Sequence, residues 1–151
     1  MTGLAFSVRA RRLSVAAVGL VLGACTAVPT PYYTPSAESR NAHELGWIVT
    51  PRSTIVQKID GHDVPRKYNP FAYDAQVGSW IAVAPGEHRL QVFYASTSYT
   101  SAASSEVVVE SVGGKTNYVY GRAEAGIRYY NVLIDRPADE ALIEELNDGM
   151  L

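Results

Sequence analysis

The chain has 151 residues, with 13 Lys+Arg against 15 Asp+Glu, one cysteine, ten tyrosines, three phenylalanines and two tryptophans. That length accommodates one ordinary domain and no second of comparable size. The acidic balance argues against nucleic acid or an anionic lipid surface as a partner, since both require clustered cations, and a lone cysteine cannot form an intramolecular disulfide.

Arg9, Arg11 and Arg12 precede an apolar run over 13–22 that is interrupted only by Ser14 and Gly19. This is the layout of an export signal. A permanent transmembrane helix needs about 20 apolar residues, roughly twice this run, so removal of residues 1–24 is expected. Leu22-Gly23-Ala24-Cys25 resembles the lipobox of bacterial lipoproteins. The resemblance implies cleavage between Ala24 and Cys25, a diacylglycerol on the Cys25 thiol and often a further acyl chain on the new amino group. Two or more chains anchor a protein stably, whereas one holds it marginally. The competing reading is an ordinary secretory signal that leaves Cys25 as a free thiol. Thr26, where an Asp would favour the inner membrane, directs the expectation to the outer membrane with the domain facing the periplasm. Cleavage removes three arginines and no acid, taking the formal charge from −2 to about −5.

After the anchor, Pro29, Pro31 and Pro35 lie among Thr, Ser and Asn with Tyr32-Tyr33, and no periodicity is evident. Residues 25–42 therefore read as a lipidated tether, extending up to ~50 Å at roughly 3.1 Å per residue. Tyr32 and Tyr33 either dock on the domain or contact a sugar.

From residue 43, short apolar runs alternate with turn residues, as in an all-β domain. A first strand over 46–50 is closed by Pro51. A second over 54–60 places Ile55 and Ile59 on one face and Val56 and Lys58 on the other, and ends in an Asp60-Gly61 turn. Residues 65–78 read as a long loop with room for a short edge strand. A third strand over 79–84 sets Ile81 and Val83 against Trp80, and Pro85-Gly86 turns the chain. In the fourth, over 87–95, His88, Leu90, Val92 and Tyr94 should face the core. Residues 96–105 have the composition of a mobile hairpin loop.

Gly113-Gly114 predicts an antiparallel hairpin between strands over 106–112 and 115–122. The strand over 128–135, with Tyr130, Val132 and Ile134 on one face and Tyr129, Asn131 and Leu133 on the other, has the two-sided apolarity of a central strand. Helical spacing then takes over across 137–147, with Ala138, Ala141, Leu142 and Leu146 near one stripe, Pro137 at the first position and Gly149 as a stop. The expected fold is an all-β antiparallel sandwich of about seven strands with a short C-terminal α-helix. Residues 1–24 form the signal, 25–42 the tether, 43–136 the sandwich, and 137–151 the helix and tail.

Ile59-Asp60-Gly61, followed by Val83-Ala84-Pro85-Gly86-Glu87-His88-Arg89-Leu90-Gln91-Val92, resembles PEGA-like modules and small bacterial envelope lipoproteins. There an I-D-G turn precedes an l-x-P-G-x-H-x-l-x-V hairpin. The resemblance implies a small β-sandwich with a non-catalytic envelope role and brings no functional residues with it. The chain lacks the compact G-x-T-P link of a typical PEGA repeat and has residues 65–78 instead.

Chemistry-bearing constellations are weak. His88, at a strand start after a tight turn, is either a ligand or base or, more simply, a packed histidine bonded to backbone. His62 beside Asp60 and Asp63 lacks a second histidine at metal-site spacing and reads as a solvated turn, so no metal is expected. His43 lies near the tether and is expected to be exposed. No serine occupies a nucleophile elbow, Glu110, Glu124 and Asp135 are scattered, and Gly113-Gly114-Lys115 lies between strands where a phosphate loop would precede a helix.

The reading is a non-enzymatic, membrane-anchored periplasmic module that binds an envelope protein or assists envelope assembly. It uses no cofactor beyond the covalent lipid on Cys25. The alternative is a carbohydrate- or peptidoglycan-binding module using Tyr68, Phe71, Tyr73, Trp80 and Tyr99, whose other explanation is sandwich core and rim. An envelope hydrolase built on His62 or His88 is the lesser alternative.

Overall fold

A computed structural model describes residues 30–65 and 77–149. Nine strands and one helix follow in chain order: β1 (Tyr32–Tyr33), β2 (Gly46–Pro51), β3 (Thr54–Ile59), β4 (His62–Asp63), β5 (Val77–Val83), β6 (Gly86–Tyr94), β7 (Ser105–Ser111), β8 (Thr116–Ala123), β9 (Ile127–Ile134) and α1 (Glu140–Asn147). The seven longer strands match those read from the sequence; β1 and β4 are two-residue additions. One sheet runs β1-β5-β2-β8-β9 and the other β4-β3-β6-β7. The fold is thus all-β and sandwich-like with a C-terminal helix. Pairing is mostly antiparallel, but β1 with β5 and β2 with β8 are parallel.

Period-two alternation divides the side chains between two cores. Ile48, Ile81, Val83 and Val119 of the first sheet meet Val56, Ile59, Leu90, Val92 and Val109 of the second. Burying each such side chain contributes about 1.5–3 kcal/mol, which makes this layer a major source of stability. On the outer face of the first sheet, Trp47, Val49 and Ala82 pack under Leu142, Ile143 and Leu146 of α1, with Ala37, Leu45 and Ala138 completing the cluster. An eight-residue helix is marginal alone, and this packing holds it. Asp139 caps it, its Oδ1 accepting from the Leu142 N–H at 2.8 Å. Helix capping therefore begins two residues after Pro137, the expected first position, and the buried stripe holds Ile143 where Ala141 was expected. Gly149, at φ 72°, follows the C-cap Asp148.

Several other expectations change. The described part of the presumed tether does not hang free. Tyr32 and Tyr33 pair with Ile81 and Ala82, the Thr34 N–H donates to Ala82 O at 3.0 Å, and Ala37 is buried. Prolines at 31 and 35 are compatible with so short an edge strand.

Gly113-Gly114 is not the turn of a two-stranded hairpin. β7 pairs with β6, while β8 lies in the other sheet beside β2 and β9. Of the two glycines only Gly114 has positive φ, whereas the favoured type I′ hairpin turn needs it at both positions. The Gly114 N–H instead donates to Leu45 O at 2.8 Å, carrying the chain across between sheets.

β9 is an edge strand, although central placement was expected. Its two-sided apolarity arises because Tyr129 packs into the intersheet core and Ile134 into the helix cluster. In β3 a bulge after Val56 shifts the register, so Val56 and Ile59 share the buried face. The loop over 96–105 is tied down locally: the Ser96 N–H donates to Tyr99 O at 2.7 Å and the Ser101 N–H to Tyr94 O at 2.8 Å.

Candidate functional site

The sequence places His88 and Asp60 far apart, and the fold brings them together. Asp60-Gly61 forms the two-residue link between β3 and β4, with both residues at positive φ (49° and 81°), the geometry of a type I′ turn. This presents the Asp60 carboxylate to the start of β6. Its Oδ1 accepts from the Arg89 N–H at 2.9 Å, and its Oδ2 lies 2.6 Å from His88 Nδ1. Burial pushes the Asp60 carboxyl upward, but the Arg89 and His88 hydrogen bonds and the imidazole charge outweigh it, leaving the group below its ordinary 3.8.

His88 is buried, and its Nε2 donates to Ala84 O at 2.6 Å. A carbonyl oxygen only accepts, so Nε2 must carry a proton. An Asp–His pair supplies two members of a hydrolytic triad. Here, however, the nitrogen that would face a nucleophile is spent on the Ala84 carbonyl, so the pair acts as a clasp between the β3–β4 turn and the Pro85-Gly86 turn. His62 is exposed, and the neighbouring Asp63 pairs with Lys58 at 3.3 Å. Among the described residues no three His, Cys, Asp or Glu side chains gather to hold a metal. A surface depression of about 410 Å³ beside the clasp is lined by Lys58, Asp60, Arg89, Gln91, Ser104 and Glu106.

A scan of family models, a search of curated proteins and a search of solved structures each found no match.

Of the five aromatics proposed for sugar binding, Trp80 and Tyr99 fall among the described residues. Trp80 lies on the outer face of the first sheet, half-buried, its ring 6.0 Å from Trp47. Tyr99 is exposed and tilts against Tyr94 at 6.3 Å. Tyr68, Phe71 and Tyr73 lie outside the described residues, as do Ala24, Cys25, the signal over 1–24 and tether positions 25–29.

A different aromatic group emerges on β8 and β9. Tyr118, Tyr120 and Tyr130 form a column with centroid spacings of 5.5 and 5.4 Å, and the Arg122 guanidinium lies 5.3 Å from the Tyr120 centroid. Tyr118 also packs against the helix cluster, so the column links that cluster to Arg122. Arg128 sits directly across from Arg122, and Glu124 approaches Arg128 at 3.6 Å while accepting from the Tyr130 hydroxyl at 3.0 Å. The Tyr-x-Tyr spacing of residues 118 and 120 was the available sequence signal for this column.

Proposed function

We propose that this chain is a lipid-anchored, non-enzymatic binding module of the bacterial envelope, held at the outer membrane through Cys25 and facing the periplasm, with an envelope protein as partner. The observation that carries the reading is the pair Val132 and Leu133, 39% and 49% exposed on opposite faces of one edge strand. Consecutive apolar residues left in water at a sheet edge favour protein association. The His88 clasp supports the non-catalytic part of the reading. It also joins the two halves of the stretch resembling PEGA-like modules, which supports a structural role for that motif. Photo-crosslinking in living cells from probes at Tyr99 and along β9 should trap a discrete protein; background labelling at every position refutes the binding role. A Cys25→Ala chain should lose palmitate labelling and leave the membrane fraction.

Glycan binding is the second reading, favoured by the exposed ring of Tyr99. Co-sedimentation with purified peptidoglycan that is lost in Tyr99→Ala would replace the first reading with it.

A further inference from the structure

Building on the binding role just proposed, we propose that β9 is the docking edge, and that its occupant is an extended segment of the partner protein, which adds as a sixth strand and places an acidic side chain opposite Arg128.

The four sheet edges are not equivalent. β1 and β4 have two residues each, too short to template another strand. β7 carries Glu106 and Glu110 within its seven residues, charges that discourage pairing. β9 has eight residues in unbroken register with β8 and pairs with no other described strand. Between Arg128 and Asp135 it has no charge, no proline and no bulge, so it lacks the usual protections of an exposed edge.

Charge chooses the occupant. At the far end of β9, Asp135 is paired with Lys115 at 3.0 Å and Arg136 with Glu145. At the near end Arg122 and Arg128 oppose each other, and among the described residues Glu124 is the acid that pairs with them, leaving net positive charge there on a chain that is otherwise acidic. Like charges directly across a ladder are destabilising, and an incoming carboxylate relieves the pair.

A second β9 strand does not supply that carboxylate. Two β9 strands related by a twofold pair antiparallel with like faces matched, so an even-numbered residue opposes another even-numbered one. Arg128 then meets Ile134, Val132 or Arg136, never Asp135. A partner segment reading apolar-x-apolar-x-acid matches Val132, Tyr130 and Arg128 on the outer face, with alternate backbone groups bonding to the strand as in other cases of strand addition.

The test uses the full chain in mild detergent with capped probe peptides and hydrogen exchange read by mass spectrometry. The probe Ser-Val-Thr-Ile-Thr-Glu-Ser should slow exchange across Ile127–Ile134 by about tenfold and leave Ser105–Ser111 unchanged. Ser-Val-Thr-Ile-Glu-Thr-Ser, whose acid falls on the other face, should protect much less. Replacing Glu by Lys in the first probe should abolish protection in the native chain and restore it in Arg128→Glu, a change at an exposed position. Val132→Lys should block the matched probe. No protection of β9, protection centred on β7, or equal protection by both acidic probes overturns the proposal. Concentration-dependent protection of β9 without peptide also overturns it, in favour of a second copy. If crosslinking traps a partner from Tyr99 while β9 stays unprotected, this inference falls and the binding role stands; if neither signal appears, both fall.

Discussion

Replacing Asp60 by glycine isolates what its carboxylate does. Glycine accepts the φ of 49° more readily than Asp does, so the turn is preserved while two hydrogen bonds are lost, one from the Arg89 N–H and one shared with His88. Bonds to a charged acceptor contribute about 1.5–3 kcal/mol each, and leaving a buried imidazole nitrogen unpaired costs a further ~1 kcal/mol or more. The Asp60 side chain is 42% exposed, so water screens and replaces part of this. Halving the sum for that exposure gives a loss of about 2–3.5 kcal/mol. Urea unfolding followed by tryptophan fluorescence measures it, because Trp47 is buried beneath α1.

The pH dependence has a definite sign. Asp60 titrates lower in the folded chain than its ordinary 3.8, so its contribution is complete above that value and is lost as pH falls through the folded value. The difference between native and Asp60→Gly chains should therefore shrink as pH falls below about 4. A loss under about 0.5 kcal/mol at neutral pH, or a difference that grows as pH falls below about 4, refutes the clasp as a stabilising element.

Three further substitutions probe other layers. Gly78→Ala puts a methyl 2.4 Å from Pro51 O and 2.9 Å from Thr54 O, both backbone, and should cost about 1–3 kcal/mol in urea unfolding. Leu90→Ala empties a fully buried position between the sheets and should cost about 2–5 kcal/mol by the same assay. Asp139→Ala removes the bond to the Leu142 N–H and should cost about 1 kcal/mol, with faster amide exchange confined to Glu140–Asn147.

The reach of the sequence differed from element to element for physical reasons. β6 was legible residue by residue, since His88, Leu90, Val92 and Tyr94 alternate without interruption and are all buried. β3 was half legible: Gln57 adds one residue to the ladder, and a period-two reading cannot detect an insertion that its partner strand defines. Gly113-Gly114 was found as a turn but assigned to the wrong connection, because its bond to Leu45 spans 69 positions of sequence. β9 looked central since apolarity reports what covers the faces and says nothing of the flanks. The Asp60-Gly61 turn was evident, whereas its bond to His88 depends on β3 and β6 becoming neighbours. Of the candidate aromatics, Trp80 packs half-buried against the helix cluster; an alternating pattern gives the side of a sheet but not what lies above it.

The short pairing of β1 has a mechanical consequence. A pull applied at Thr30 loads two residue pairs and the two bonds Thr34 makes to the Ala82 carbonyl. Strand β2 is different: β5 and β8 grip it on both flanks, so a force that strips β1 stops there. Residues 32–45 would pay out about 45 Å of slack at roughly 3.3 Å per residue. The intersheet layer loses only Tyr32 from its margin, while the cluster beneath the helix gives up Ala37 and Leu45. The edge thus acts as a mechanical fuse, yielding at small extension and sparing the intersheet core from the pull.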